Sequence, residues 1–210
     1  MQSSININIP SDWTSYVTQT NLGLEVIPAV LYDTLTLPAA GGTQELRFFQ
    51  QINVPLDISN MKTVGMLSNP EAFLIQNIGF FFRTLPQATV SAASGATQTG
   101  AFTDVVLVTS PGIAELTIGN KKYGPWPLWR LPIGTYTKGT LGAVGTTAEA
   151  LTYGQLDGPL YGLFPNLMLS PLQPFIVSVR WPSLSTGSPA ISVSTQLEIL
   201  FDGQLARSIQ

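Results

Sequence analysis

The sequence predicts an all-β fold: a jelly-roll-like β-sandwich of about eight strands with an extended N-terminal arm. Glycine and proline are frequent, with 19 and 16 copies in 210 residues, and they divide the chain into short segments rich in Val, Ile, Thr and Phe. Several segments alternate apolar and polar residues, which is the two-residue period of a half-buried strand. No window keeps a 3.6-residue period over three turns, so we expect little helix beyond a short one near Asn60–Leu67.

The predicted strands follow one another along most of the chain. Phe175–Trp181 and Ile191–Phe201 alternate best, with one apolar face and one more polar face each. Gly79 predicts a bulge or a close backbone approach inside a strand. Asp202-Gly203 predicts a tight turn after the last strand. The remaining predicted strands are Glu45–Val54, Phe73–Leu85, Asp104–Thr109 and Ile113–Ile118.

The N-terminal segment differs from the rest of the chain. Residues 1–44 contain three acidic residues and no basic one, and Pro10, Pro28 and Pro38 are spaced along extended stretches. We therefore expect residues 1–44 to form an extended arm that lies on the domain or on a neighbour. Residues 45–210 are expected to form a single β-sandwich domain.

The composition excludes several classes of function. The chain contains no histidine and no cysteine, which removes the usual general base, the common transition-metal ligands and any disulfide. The twelve carboxylates are scattered, so we expect no catalytic residues, no cofactor and no metal site. A net charge of −3 argues against sequence-specific nucleic-acid binding, which needs a basic surface. No apolar stretch is long enough to predict a transmembrane segment, and the N-terminus does not resemble a signal peptide.

Charged residues make up only 10% of the chain, against about 25% in an average soluble domain. A surface so poor in charge is either covered by neighbours or hydrated by Ser, Thr, Asn, Gln and Gly. Because the cores of interfaces are depleted in charge and enriched in aromatic residues, we expect the protein to associate with other subunits.

One segment concentrates cations and aromatic rings. Residues 121–130 carry three of the nine basic residues and two of the four tryptophans. Aromatic rings beside cations can stack on sugars or bases. The alternative, which we favour, is a proline-stiffened loop whose tryptophans anchor in the core or in a subunit contact. Together with the arm, it supplies the expected interface residues: Ile5, Ile7, Ile9, Trp13, Tyr123, Trp126, Trp129 and Arg130.

Four stretches, about a quarter of the chain, resemble structural proteins encoded by bacteriophages. They are Glu45–Val54, Met66–Phe73, Ile118–Tyr123 with Pro127–Trp129, and Phe201–Gln210. The resemblance implies a jelly-roll virion component, either a small capsid protein or a cement protein that decorates a capsid lattice. The leading hypothesis is accordingly a virion protein that oligomerises, as a trimer or larger, in contact with other capsid proteins. No catalytic or ligand residues come with this resemblance.

Two other functions remain open at this point. A carbohydrate-binding module of a phage tail or receptor-binding protein would place Lys121, Tyr123 and Trp126 at the sugar. A carboxylate-based glycoside hydrolase would need two acids about 5–10 Å apart in a cleft; Glu198, Asp202 and Asp157 are the acids considered for such a site.

Overall fold

The computed structural model describes residues 24–84, 105, 107–131, 133–134, 160–191 and 194–208. Nine strands lie within these ranges, and one short 3-10 helix, Leu128–Arg130, follows the fifth strand. The strands are β1 Leu24–Leu37, β2 Glu45–Phe48, β3 Ala72–Thr84, β4 Ile113–Ile118, β5 Lys121–Pro127, β6 Ile133–Gly134, β7 Tyr161–Leu169, β8 Phe175–Arg180 and β9 Thr195–Ser208. The all-β fold predicted from the sequence is confirmed.

The strands form two sheets that enclose one core. Sheet one has the order β1-β9-β3-β7, with the short β6 pairing in parallel beside β3, and sheet two has the order β2-β8-β4-β5. The antiparallel pairs are nested: β1 with β9, β2 with β8, β3 with β7 and β4 with β5. A long antiparallel ribbon that rolls up into two facing sheets produces this nesting, which is the arrangement of a jelly roll.

The core is built from the inward faces of both sheets. On β4 buried residues alternate with half-buried ones, and on β9 the buried residues Thr195, Leu197, Ile199 and Phe201 alternate in the same way. Three phenylalanines join the sheets, since the ring of Phe49 lies 4.9 Å from that of Phe201 and 5.3 Å from that of Phe175. The alternation predicted for the eighth and ninth strands therefore marks the core faces.

The first strand corrects the prediction of an arm that reaches to residue 44. Leu24–Leu37 pairs with β9 along its whole length, so this part of the segment belongs to the sandwich. Pro28, one of the prolines spaced along the predicted arm, lies in β1, at the end of the strand order, and an edge strand tolerates proline. Residues 1–23, with Ile5, Ile7, Ile9 and Trp13, lie outside the described residues.

Four local predictions are wrong. The predicted strand Glu45–Val54 ends at Phe48, where Phe49 takes a left-handed φ of 66°. In the predicted strand Asp104–Thr109, residues 107–109 are helical, and the Thr109 hydroxyl donates to the Val105 carbonyl at 2.8 Å. The predicted helix Asn60–Leu67 consists of bends and turns. The predicted turn at Asp202-Gly203 lies inside β9.

Asp202 and Gly203 lie opposite a bulge. In the pairing of β3 with β9, Ile75 faces Gly203 and Asn77 faces Asp202, so Gln76 is the extra residue. A β-carbon on Gly203 would lie 1.9 Å from the Leu74 carbonyl oxygen. Glycine is therefore needed here because two backbones approach closely within a sheet, and not because the chain turns.

The free edge of β1 is closed by the segment that follows β2. The Asn60 side chain accepts from the Tyr32 amide at 3.0 Å and donates to the Val30 carbonyl at 2.7 Å. Ser59 forms a β-bridge with Asp33 beside it. These bonds satisfy edge groups that would otherwise be free to pair with another strand.

Candidate interaction surface

The segment of residues 121–130 is not the loop predicted from its prolines, because its first seven residues form a strand at the edge of sheet two and its last three form the 3-10 helix. Lys121–Pro127 forms β5 and pairs with β4, with a register shift between Ala114 and Leu116. Gly124, which has a φ of 105°, precedes Pro125 across a cis peptide bond. Prolines are compatible with β5 because it lies at the edge of sheet two and no strand among the described residues pairs with its outer side.

The structure describes four of the eight predicted interface residues. Tyr123, Trp126 and Arg130 lie toward β7, and Trp129 is exposed apart from them. Tyr123 and Trp126 are half-buried and pack against the core. The Arg130 guanidinium lies 6.0 Å from the ring centroid of Tyr161 on β7, within the range of a cation–π contact. Trp129 is 63% exposed. Trp126 thus anchors against the core, and the subunit contact expected of the exposed Trp129 stays a prediction.

A pocket of about 360 Å³ lies between the two edge strands β5 and β7. We call it the aromatic pocket, because aromatic rings make up much of its wall. Its residues are Lys122, Tyr123, Gly124, Trp126, Tyr161, Gly162, Leu163, Phe164, Pro165 and Leu167. Lys121, which the glycan-binding hypothesis placed at the sugar, is not among them, and Lys122 takes that position.

Phe164 is the most exposed large apolar side chain of the described residues, at 101%. Its exposure has a local cause in β7. Ile75 pairs with Leu167 and Asn77 pairs with Gly162, so four residues of β7 stand opposite Gln76 alone. This bulge leaves Leu163 buried and carries Phe164 outward. Phe164 was not among the predicted interface residues, and no local pattern indicated the cis bond between Phe164 and Pro165.

The charges around the aromatic pocket are mainly basic. Glu115 accepts from Lys122 at 2.9 Å and lies 3.3 Å from Arg180. Lys121 and Arg130 are exposed, and neither has a carboxylate within 4.0 Å in the described part of the chain. Residues 160–179 carry no charge at all. Fixed negative charge is therefore scarce along this edge.

A second pocket, of about 320 Å³, lies at the opposite edge of the sandwich. We call it the β1 pocket, because β1 and the segment that covers its edge form its walls. Its residues are Ala29, Val30, Leu31, Leu56, Asn60, Met61, Lys62, Met66, Leu67, Ser68, Glu71 and Leu205. Leu31, Met61 and Leu67 are buried, whereas Leu56 is 75% exposed. The pocket therefore opens from the surface toward the core.

Asp33 is the buried carboxylate of the described residues, and it holds the chain after β2 against β1. It accepts from the Phe49 amide and, at 3.2 Å, from the Gln51 side chain. Burial raises the pKa of Asp33, although hydrogen bonds from Phe49, Ser59 and Gln51 act to lower it. Because all of its partners are structural, we assign Asp33 to folding and not to chemistry.

The acids considered for catalysis are engaged separately. Glu198 accepts from the Thr34 hydroxyl at 3.1 Å and lies 3.8 Å from Arg83, and Asp202 accepts from the side-chain amide of Asn77 at 3.0 Å. Asp157 lies outside the described residues. Within the ranges that the structure describes, no group of three or more acidic side chains could hold a metal ion.

No family model, no curated protein and no solved structure matches this chain. The described residues include no helix of the length and apolarity needed to cross a membrane.

Proposed function

We propose that this chain is a virion structural protein, either a small capsid protein or a protein that cements a capsid. It acts through oligomerisation, as a trimer or larger, and through contacts with other capsid proteins in the virion. A jelly roll is compatible with this role but is shared by capsid proteins, lectins and cupins, so the fold alone does not decide it.

The observation that carries the proposal is the composition of the surface. The domain completes its own core and still exposes large apolar side chains, of which Leu56, Trp129, Phe164 and Leu172 are each more than 60% exposed. The chain has only 9 basic and 12 acidic residues with which to hydrate that surface. Contact with neighbouring subunits removes such apolar groups from water without desolvating many ions.

The test is the mass of the purified protein in solution, measured by light scattering over a series of concentrations. We expect the mass to rise from that of the 22.5 kDa chain to that of a trimer or a larger assembly. A single monomeric species at every concentration would contradict self-assembly.

A second candidate function is carbohydrate binding at the aromatic pocket. Tyr123, Trp126 and Tyr161 line one pocket together with Lys122, and aromatic faces beside a polar group suit a sugar ring. Adding glycans should then shift the tryptophan fluorescence, and Trp126→Ala should abolish the shift, whereas Trp129→Ala should retain it. Unchanged fluorescence over a panel of neutral and acidic glycans would exclude this candidate.

A further inference from the structure

Two features at opposite edges of the sandwich have complementary shapes. Sheet one runs from β1 to β7, so its ends are separated by three strand spacings, or about 15 Å. The β1 pocket is a cavity at the first end, and Phe164 is a fully exposed aromatic ring at the other. Resting on the self-assembly proposed above, we propose that Phe164 of one copy inserts into the β1 pocket of the next copy.

The sizes agree. A cavity of about 150 Å³ lined by apolar side chains holds a benzene molecule, and the β1 pocket has about 320 Å³. Met61 and Met66 lie in its wall, and the flexible methionine side chain adapts its shape to an aromatic ring and makes favourable sulfur–aromatic contacts. The pocket thus accommodates a phenyl ring and leaves room for the adjacent Pro165.

The charges at the two edges are compatible with this contact. At the β1 pocket, Lys62 pairs with Glu71 at 2.8 Å, and Asp57, which follows Leu56, is 66% exposed and lies 3.8 Å from Arg83. At the other edge, Lys122 pairs with Glu115, whereas Arg130 lies over the Tyr161 ring and has no carboxylate within 4.0 Å in the described part of the chain. An edge-to-edge contact therefore brings the Arg130 cation toward Asp57, whose own ion pair is long and exposed, and this favours the orientation.

The exposure of Phe164 supports an intermolecular role. A ring that is 101% exposed contributes nothing to the core of its own domain, and the bulge in β7 holds it away from the sheet. Aromatic side chains that fill a partner's pocket are typical anchors of protein interfaces. Because the two surfaces are different patches of the same chain, the contact is heterologous, and repetition of it closes a ring or extends a filament.

The experiment uses the full chain and two single variants. Phe164→Ser removes the ring, and Leu56→Lys places a cation at the mouth of the pocket, where it opposes the cations beside Phe164. Both sites are more than 70% exposed, so the fold should not change. Each variant should weaken self-association by at least about 30-fold. Ile52→Ser is the matched control, because Ile52 is exposed at 41% and lines neither pocket.

Mixing the two variants tests the heterologous geometry. Phe164→Ser keeps an intact pocket and Leu56→Lys keeps an intact ring, so an equimolar mixture should form a one-to-one dimer and nothing larger. An interface in which Phe164 meets Phe164 would not recover in the mixture, and that result would overturn the proposal. An oligomer unaffected by either substitution would overturn this contact but leave the proposed function standing, whereas a monomeric wild-type protein would overturn both.

Discussion

Alanine at position 203 would place a methyl group inside the ladder between β3 and β9. The new β-carbon would lie 1.9 Å from the Leu74 carbonyl oxygen, 3.0 Å from the Leu74 carbonyl carbon and 3.2 Å from the Gln76 amide nitrogen. Ordinary contact begins at 3.4 Å, so the strands would have to separate by about 1.5 Å. All three atoms belong to the backbone, and no rotation of a side chain relieves the overlap.

The cost follows from what the separation breaks. Overpacking in a well-ordered interior costs about 1–3 kcal/mol, and each ladder hydrogen bond that is lost adds about 0.5–1.5 kcal/mol. The neighbouring residues Ile75 and Phe201 are fully buried, so the displaced strands would also disturb the core. We expect Gly203→Ala to lower the free energy of unfolding by about 3–5 kcal/mol.

Urea denaturation followed by tryptophan fluorescence measures this change. Gly162→Ala is the control in the same sheet, because the nearest atom to its new β-carbon is the Asn77 side-chain oxygen at 3.6 Å. That substitution should change stability by less than about 1 kcal/mol. If Gly203→Ala loses less than about 1 kcal/mol as well, the close approach of β3 and β9 is not as described and the argument fails.

Three further substitutions test other parts of the fold. Because burial raises the pKa of Asp33 above its ordinary value, its ionised form is disfavoured in the folded state. The stability of the wild type relative to Asp33→Asn should therefore be greatest below pH 3.8. It should fall as the pH rises through the folded-state pKa, by up to about 1.4 kcal/mol per pH unit. Denaturation of both proteins at matched pH values measures this difference, and a stability difference that rises with pH would contradict the sign. Asn60→Ala removes both side-chain hydrogen bonds to the β1 edge and should lower the free energy of unfolding by about 1–3 kcal/mol. Hydrogen exchange of the Tyr32 amide should become faster, and an unchanged exchange rate would contradict the edge-closing role. Trp181→Phe removes the 2.9 Å hydrogen bond from the indole nitrogen to the buried Val108 carbonyl and should lower the free energy of unfolding by about 2–3 kcal/mol. Thermal unfolding followed by circular dichroism measures the change, and a neutral effect would mean that the bond adds no net stability.

The parts of the fold that the sequence predicts correctly are those where burial alternates. The strands β4 and β8 lie where the alternation of apolar and polar residues places them, because the apolar side of each strand faces the core; on β8 Ser178, on the other side, is buried as well. Residues 107–109 are Leu, Val and Thr, of which two are β-branched, and yet all three are helical. Val108 there lies against the side chain of Trp181, a contact between residues 73 positions apart that no local pattern contains.

The errors in the predicted arm and at Gly203 share a cause. Pro28 was one of the prolines that indicated an extended arm, and the Asp202-Gly203 pair indicated a turn. Whether a proline or glycine ends a strand depends on its place in the sheet: Pro28 lies on an edge strand, and Gly203 lies opposite a bulge on a neighbouring strand. The same dependence hides Phe164 and the two pockets, since they exist only once distant strands have been paired.

The edges of the sandwich also restrict how copies can join. Pro125 and Pro127 lie on β5 and Pro165 lies on β7, and proline offers no amide hydrogen to an incoming strand. At the other edge, Asn60 already occupies the backbone groups of Val30 and Tyr32. Continuous backbone pairing between copies is therefore disfavoured at both edges of sheet one and at the β5 edge of sheet two. Association between these edges must instead depend on side chains, which is the kind of contact that Phe164 and the β1 pocket provide.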